Sequence, residues 1–530
     1  MRKKIYAIAS FVVFSTTTFA QLNPAIDVQH YRFAVQLNDS SNIIKGDATI
    51  TIKFKQNVNN VELDLVSKRS DGKGMNVTNV TKNGSTLNFT QDAQHIIIND
   101  TGRNGTENIY TIVYEGIPAD GLIISKNKFG HRCFFADHWP NRAHNWLPCN
   151  DHVLDKASVE FMITAPEHYQ VVSNGMKIEE TNLTNHLKFT YWKEDIPLAP
   201  KIMAIGVSDF AVNYVGNIEC IPIYSWVYPE NRDSGFARYA IAKNVLPWFI
   251  NHVGPYAYKK LSNVQSKTIF GGMENANTIF YFEESVNDKE IEGLMAHEIA
   301  HQWFGNSASE TDWQHLWLSE GFATYLAHLY HETKYGIDSF NKRMQTDRDT
   351  VISFSQRRIT PVVDTSASNN LMKLLNANSY QKGSWVLHML RRKLGDTVFW
   401  KGIRTYYAKY AGSNASTNDL RKVFEDISRQ NLQAFFKQWL HTAGQPKLNV
   451  EWKYDNVKKS LTIKIEQLQN SLFEFPLEIQ FFESSGKRTE RIDVKDKMTL
   501  KDIHIKSHPQ KFVIDPNVNL LFEGKVKEIK

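Results

Sequence analysis

HEIAHQWFGNSASETDWQHLWLSE, residues 297–320, is the stretch that decides the reading of this 530-residue chain. Its first five residues, His297-Glu298-Ile299-Ala300-His301, form an H-E-x-x-H pattern, and eighteen residues separate His301 from Glu320. On a helix, positions i and i+4 share a face, so the two imidazoles can converge on one metal ion. Glu298 then reaches a water on that ion rather than the ion itself. Two imidazoles and a carboxylate with an open fourth position describe a catalytic zinc site, not a closed structural one. The five residues alone also suit a surface helix with two solvated histidines, but their surroundings argue against that. Ile291, Leu294, Met295, Ile299 and Trp303 recur at helical spacing, Asn287 or Asp288 can cap the start, and Gly305-Asn306 stops the helix. The motif is therefore expected in mid-helix. A second helical pattern over residues 318–332 carries Phe322, Tyr325, Leu326 and Leu329 on one side. It puts Glu320 in its first turn, able to face the first helix.

Residues 1–20 read as a signal peptide. Arg2, Lys3 and Lys4 are followed by an apolar run and by Thr18-Phe19-Ala20, a small-residue cleavage site before Gln21. The expectation is an exported protein, periplasmic or secreted. The apolar run is shorter than the roughly 18 residues a membrane span needs, and no later stretch reaches that length. No cysteine follows the cleavage site, so no lipid anchor is expected. Removing three basic residues lowers the formal charge from +6 to +3, too little to argue for nucleic acid or an anionic membrane as partner. Cys133, Cys149 and Cys220 allow at most one disulfide, with Cys133 and Cys149 nearest in sequence. Stability must come from hydrophobic cores.

Three regions follow. Residues 21–220 are strand-like: Tyr31, Phe33, Val35 and Leu37 alternate with polar residues, as do Ile50, Ile52 and Phe54, and Val61, Leu63 and Leu65. Turn signals such as Lys82-Asn83-Gly84 separate the runs, giving a large antiparallel β domain. Residues 221–443 turn helical, with one short strand region at 278–282 ahead of the motif helix. Further helices are expected at 381–393, 397–410 and 420–439. In residues 444–530 alternation returns with Leu461, Ile463 and Ile465, then Leu477, Ile479 and Phe481, as in a small β-sandwich.

Two more segments carry chemistry. Gly271-Gly272-Met273-Glu274-Asn275 precedes the motif helix, and its glycines let a peptide approach the backbone. A carboxylate there can bind a cation such as the α-ammonium of a peptide; the plainer alternative is a β-hairpin with an exposed Glu. Tyr380, in Tyr380-Gln381-Lys382-Gly383, opens a later helix. A phenol beside zinc can hydrogen-bond a developing oxyanion, although an ordinary helix-start aromatic would read the same.

GGMEN, HEIAH with its distant Glu320, and YQKG occur in one order and spacing. This set resembles the zinc aminopeptidase family typified by aminopeptidase N and leukotriene hydrolase. His30-Tyr31 and Trp146-Leu147-Pro148-Cys149-Asn150-Asp151 are similar to family segments too, so the likeness extends over residues 25–530. It implies one zinc ion per chain held by His297, His301 and Glu320, with Glu298 as general base and Tyr380 as transition-state stabiliser. It also implies that Glu274 anchors the substrate's amino terminus, beside Met273 and Asn275, while the Gly271–Gly272 backbone pairs with the peptide. The implied fold is multidomain: an N-terminal antiparallel β saddle domain, a thermolysin-like α+β catalytic domain and a small C-terminal β-sandwich.

Three departures stand out. Many family members share the α-amino contact with a Gln or Glu of the first domain; here Asp137 or Trp139 falls near that place, and Asp137, being acidic, is the candidate. Longer aminopeptidases carry a C-terminal helical domain without counterpart in this sequence, so an open cleft is expected. Ser319 stands where Asn is usual and is read as a minor change. The expected reaction is release of N-terminal residues from peptides. The rivals are a thermolysin-type endopeptidase and a catalytically silent peptide binder, for which Glu298 and Tyr380 would be unneeded. Nothing in these residues singles out a lipid-epoxide hydrolase.

Overall fold

The computed structural model describes residues 22–529, except 368–369 and 484–485. The expected signal peptide, residues 1–20, lies outside the described residues.

The alternating runs of the first region become strands because every second side chain can be buried on one face. In Ile26–Gln36 the buried positions include Tyr31, Phe33 and Val35, and in Ile44–Phe54 they include Ile50, Ile52 and Phe54. These strands centre an eight-stranded sheet whose order is Met176–Asn182, Leu187–Leu198, Ala157–Pro166, Ile26–Gln36, Ile44–Phe54, Glu107–Ile117, Gly74–Lys82 and Ser85–Thr86. One pair departs from the antiparallel expectation: Ile26–Gln36 runs parallel to Ala157–Pro166. Lys82-Asn83-Gly84 makes the turn its residues demand, with Asn83 and Gly84 both at positive φ, 51° and 82°. A second, four-stranded sheet contains Arg132–Ala136, which leads directly into Asp137 and Trp139. Cys133 and Cys149 are free, buried thiols and Cys220 is a free, exposed one, so none of the three forms a bridge.

The middle region holds more strand than its sequence suggests. Ala211–Ile218, Ile221–Val227, Leu261–Gln265, Thr278–Tyr281 and Gly272–Met273 form a five-stranded sheet in that order. Leu261–Gln265 is buried throughout, on both faces, so it lacks the alternation that marks a strand. The hairpin between the first two strands turns at Glu219–Cys220, so the change of period at residue 221 falls inside one sheet. Gly272–Met273 lies at the sheet's edge, paired on one side only, with Tyr281 and Phe280.

The helices are α1 (Arg232–Tyr239), α2 (Ala242–His252), α3 (Ile291–Ala300), α4 (Trp317–Tyr335), α5 (Ile337–Ser355), α6 (Gly383–Leu394), α7 (Asp396–Tyr410), α8 (Thr417–Ser428) and α9 (Gln433–Phe436). The expected continuous helix at 420–439 is broken: Arg429 turns left-handed at φ 57° and ends α8. Past residue 447, two sheets of four and three strands bury Leu461, Ile463 and Ile465, and Leu477, Ile479 and Phe481, as their alternation predicts. Among the described residues no helix is long and apolar enough to cross a membrane.

Candidate active site

α3 buries Ile291, Met295 and Ile299 in the core, while Leu294, half-buried, packs against that core and also reaches the cleft wall. The helix starts after Glu290; Asn287 and Asp288 belong to the preceding turn and do not cap it. It ends at Ala300, with His301 still in helical conformation at φ −58°. The H-E-x-x-H motif therefore closes the helix and does not sit in its middle. The chain reverses at Gly305, whose φ of +115° suits glycine. α4 then delivers Glu320 in its first turn, as expected, with Phe322, Tyr325, Leu326 and Leu329 buried behind it.

His297, His301 and Glu320 come together. The two Nε2 atoms face each other at 3.0 Å, and Glu320 Oε2 lies 3.3 Å from each. A tetrahedral ion with ligand bonds of about 2.0–2.1 Å separates neighbouring ligand atoms by about 3.3 Å. The triangle matches three corners of that tetrahedron. Glu320 Oε2 is buried and makes no hydrogen bond among the described residues, as a ligand oxygen awaiting a cation would. These residues fit a zinc ion. His301 Nδ1 lies 3.2 Å from the Phe304 carbonyl and 3.0 Å from Ser319 Oγ. A carbonyl only accepts, so this contact favours the proton on Nδ1 and leaves the Nε2 lone pair for a metal. Ser319 is thus no incidental change: it touches the ring of a ligand. A Cβ on Gly305 would stand 2.2 Å from its Oγ, so glycine there makes room for it.

These side chains open into a cleft of about 420 Å³, which Gly271, Gly272, Met273, Glu274, Glu298 and Tyr380 also line. Glu274 is buried; its carbonyl accepts from Gln302 Nε2 at 3.1 Å and from Asn306 Nδ2 at 2.6 Å, while its Oε1 has no partner among the described residues. Glu298 packs so tightly on Gly272 that a Cβ there would stand 2.2 Å from Oε1. Burial raises the pKa of both carboxyl groups, and the neighbouring carboxylates add to the rise. Tyr380 stacks on the His297 ring, with centroids 5.9 Å apart and planes 10° apart. Its segment, Asn378–Lys382, is wound as a π-turn ahead of α6, a local widening frequent at functional sites. Gly321 and Gly383 let α4 and α6 cross closely, since a Cβ on Gly321 would stand 2.9 Å from Gly383 Cα.

Two expected contacts are not in the cleft. Asp137 is fully buried, paired with Arg142 Nη2 at 2.5 Å and accepting from Ile269 N at 3.2 Å. It ties down the loop before Gly271, while Trp139, two residues on, lines the cleft. The strand ends at Ala136 and the chain turns at Trp139 and Pro140, so the two-residue alternation that would put residues 137 and 139 on one face no longer holds. Asn275 is also fully buried and absent from the cleft wall. The wall further includes Thr324, His328 and Asp347, which the motif reading missed. Thr324 and His328 follow Glu320 by four and eight residues, so helical spacing alone could have found them.

The Peptidase M1 N-terminal domain matches residues 27–199 and the Peptidase family M1 domain matches residues 238–439. Glutamyl aminopeptidase of Bos taurus is 28% identical over 341 residues, 61% of this chain and 35% of that protein. "Probable aminopeptidase 2" of Sulfurisphaera tokodaii is 26% identical over 444 residues, 79% of this chain and 54% of that one. The matches thus span about a third to about half of these relatives' length. The fold is similar to that of Legionella pneumophila aminopeptidase A, solved in complex with aspartic acid. The TM-score is 0.81 at 17% identity, covering 95% of this chain and 60% of that one. The two domain matches, the gathered H-E-x-x-H and Glu320, and this shared fold agree: the chain belongs to peptidase family M1.

Proposed function

We propose that the protein is a zinc-dependent aminopeptidase, releasing the N-terminal residue from peptides. The carrying observation is Glu274, a buried carboxylate with an unpartnered oxygen in the same cleft as the His–His–Glu triad. It offers a partner to the α-ammonium of a peptide. Zinc, held by His297, His301 and Glu320, would supply a Lewis acid for the scissile carbonyl and acidify a water molecule. Glu298 takes the proton of the attacking water and passes it to the leaving amine. The Tyr380 hydroxyl donates a hydrogen bond to the carbonyl oxygen as charge develops on it. The edge strand Gly272–Met273 offers its free side to the peptide backbone. A blocked amino terminus would leave Glu274 buried and unpaired, which makes the enzyme an exopeptidase. The N-terminal targeting pattern supports a periplasmic or secreted location.

The test is a panel of aminoacyl fluorogenic amides, each assayed with and without a chelator. Turnover should vanish with the chelator and return with added zinc. Turnover indifferent to the chelator would remove the zinc, and no turnover of any free-amino substrate would remove the aminopeptidase reading.

A further inference from the structure

Beyond the metal triad the cleft ends in polar groups that the reaction above does not use. α4 runs antiparallel to α3: Glu320 stands against His297 and His301, whereas His331, three turns later, stands against Gly293 near the start of α3. A Cβ on Gly293 would lie 3.5 Å from His331 Nε2. Glu274 is tied to the other end of α3, through Gln302 and Asn306. The amino-terminal anchor and the Thr324–His328 face of α4 therefore flank the triad on opposite sides. Thr324 and His328 lie about 6 and 12 Å beyond Glu320 along the helix.

There, His328 Nε2 meets Asp347 Oδ2 of α5 at 2.9 Å. A ring nitrogen facing a carboxylate carries a proton, so the neutral ring presents a lone pair at Nδ1. That Nδ1 and the Thr324 hydroxyl are buried without a partner among the described residues, and both residues line the cleft with Asp347. Among the described residues no lysine or arginine lines it. Arg343, one turn before Asp347, stands beside Gly293 and His331, outside the cleft wall. The end of the cleft thus offers acceptors and a carboxylate, a setting that rewards a donor and penalises an anion.

We infer that Asp347, His328 and Thr324 receive the side chain of the residue after the cleaved bond and select one bearing a cation: lysine or arginine over alanine, and alanine over aspartate. The inference rests on the aminopeptidase reading, because an amino terminus held at Glu274 fixes which side chain reaches Asp347.

The test uses peptides with one constant first residue and Lys, Arg, Ala or Asp second, beside an anilide of that first residue, which has no second side chain. Lysine and arginine should raise kcat/KM about tenfold over alanine, the lower range for a hydrogen bond to a charged group. Asp347→Asn should bring the lysine-to-alanine ratio to about one by removing the charge that favours the cation. A wild-type ratio of one, or a preference for aspartate, overturns the inference whatever the variant does. In that case anilide turnover leaves the aminopeptidase reading standing. If neither anilide nor peptides are cleaved, that reading fails and the inference falls with it.

Discussion

Replacing Gly272 by alanine puts a methyl group where the Glu298 carboxylate now lies. The new Cβ would stand 2.2 Å from Oε1, 2.4 Å from Cδ and 2.6 Å from Cγ, against an ordinary contact of at least 3.4 Å. Oε1 must therefore retreat by about 1.2 Å. The Gly272 backbone is not in the left-handed region, so alanine adds no backbone strain and the conflict falls on the glutamate alone. Overpacking of this size costs about 1–3 kcal/mol of stability, which a chain of this size can absorb. The catalytic cost is larger, because displacing a reacting group by about 1 Å can cost 10²-fold in rate. We expect Gly272→Ala to bind zinc at one ion per chain, to melt cooperatively, and to lose about a hundredfold in kcat on an aminoacyl anilide. The assay pairs kcat with zinc content and a melting curve. A folded, zinc-loaded variant with kcat within about threefold of wild type, under 1 kcal/mol of barrier, would refute the placement of Glu298 as base.

Three further outcomes follow from the same geometry. Ser319→Ala strips the hydroxyl from His301 Nδ1 and should weaken zinc binding about 10–100-fold, read by chelator competition; unchanged affinity would make Ser319 incidental after all. Tyr380→Phe should lower kcat by about 10²–10³, the usual effect of removing one oxyanion donor, and an undiminished kcat would dismiss the hydroxyl. Burial pushes the Asp155 carboxyl up to about 7, despite the bonds from Asn150 and Val28 that favour its charged form. The folded chain then keeps a proton that the unfolded chain releases near pH 4, so this group's contribution to stability falls from about pH 4 to about pH 7. Asp155→Asn lacks that fall. Its stability relative to wild type should climb through this window by at most about 1.4 kcal/mol per pH unit, then level off, and a flat difference would contradict the burial argument.

Helical spacing made α4 legible almost to its ends, because Phe322, Tyr325, Leu326 and Leu329 recur every three or four residues even though residues 317–331 are all buried: expected at 318–332, it runs Trp317–Tyr335. The same rule put the H-E-x-x-H motif in mid-helix. The local turn at Gly305 and the backbone after Ala300 overrode it, and apolar spacing does not encode where a helix stops. The strand Leu261–Gln265 was invisible because both of its faces are buried, which erases the two-residue period. Asp137 misled through its charge, since an acidic residue near a binding site reads as a ligand until its own partner, Arg142, is seen. His328 and Asp347 belong to different helices, and only the packing of α4 on α5 brings them together.

The central claim is that Glu274 commits this cleft to peptides with a free amino terminus. The most direct measurement compares hydrolysis of a dipeptide amide with that of its N-acetylated form by the zinc-loaded protein. A site built around a buried carboxylate rejects a substrate lacking the matching group by about 10⁴–10⁵, so the acetylated form should be cleaved at a negligible rate. Equal rates for the two would contradict the account and assign the cleft to an endopeptidase.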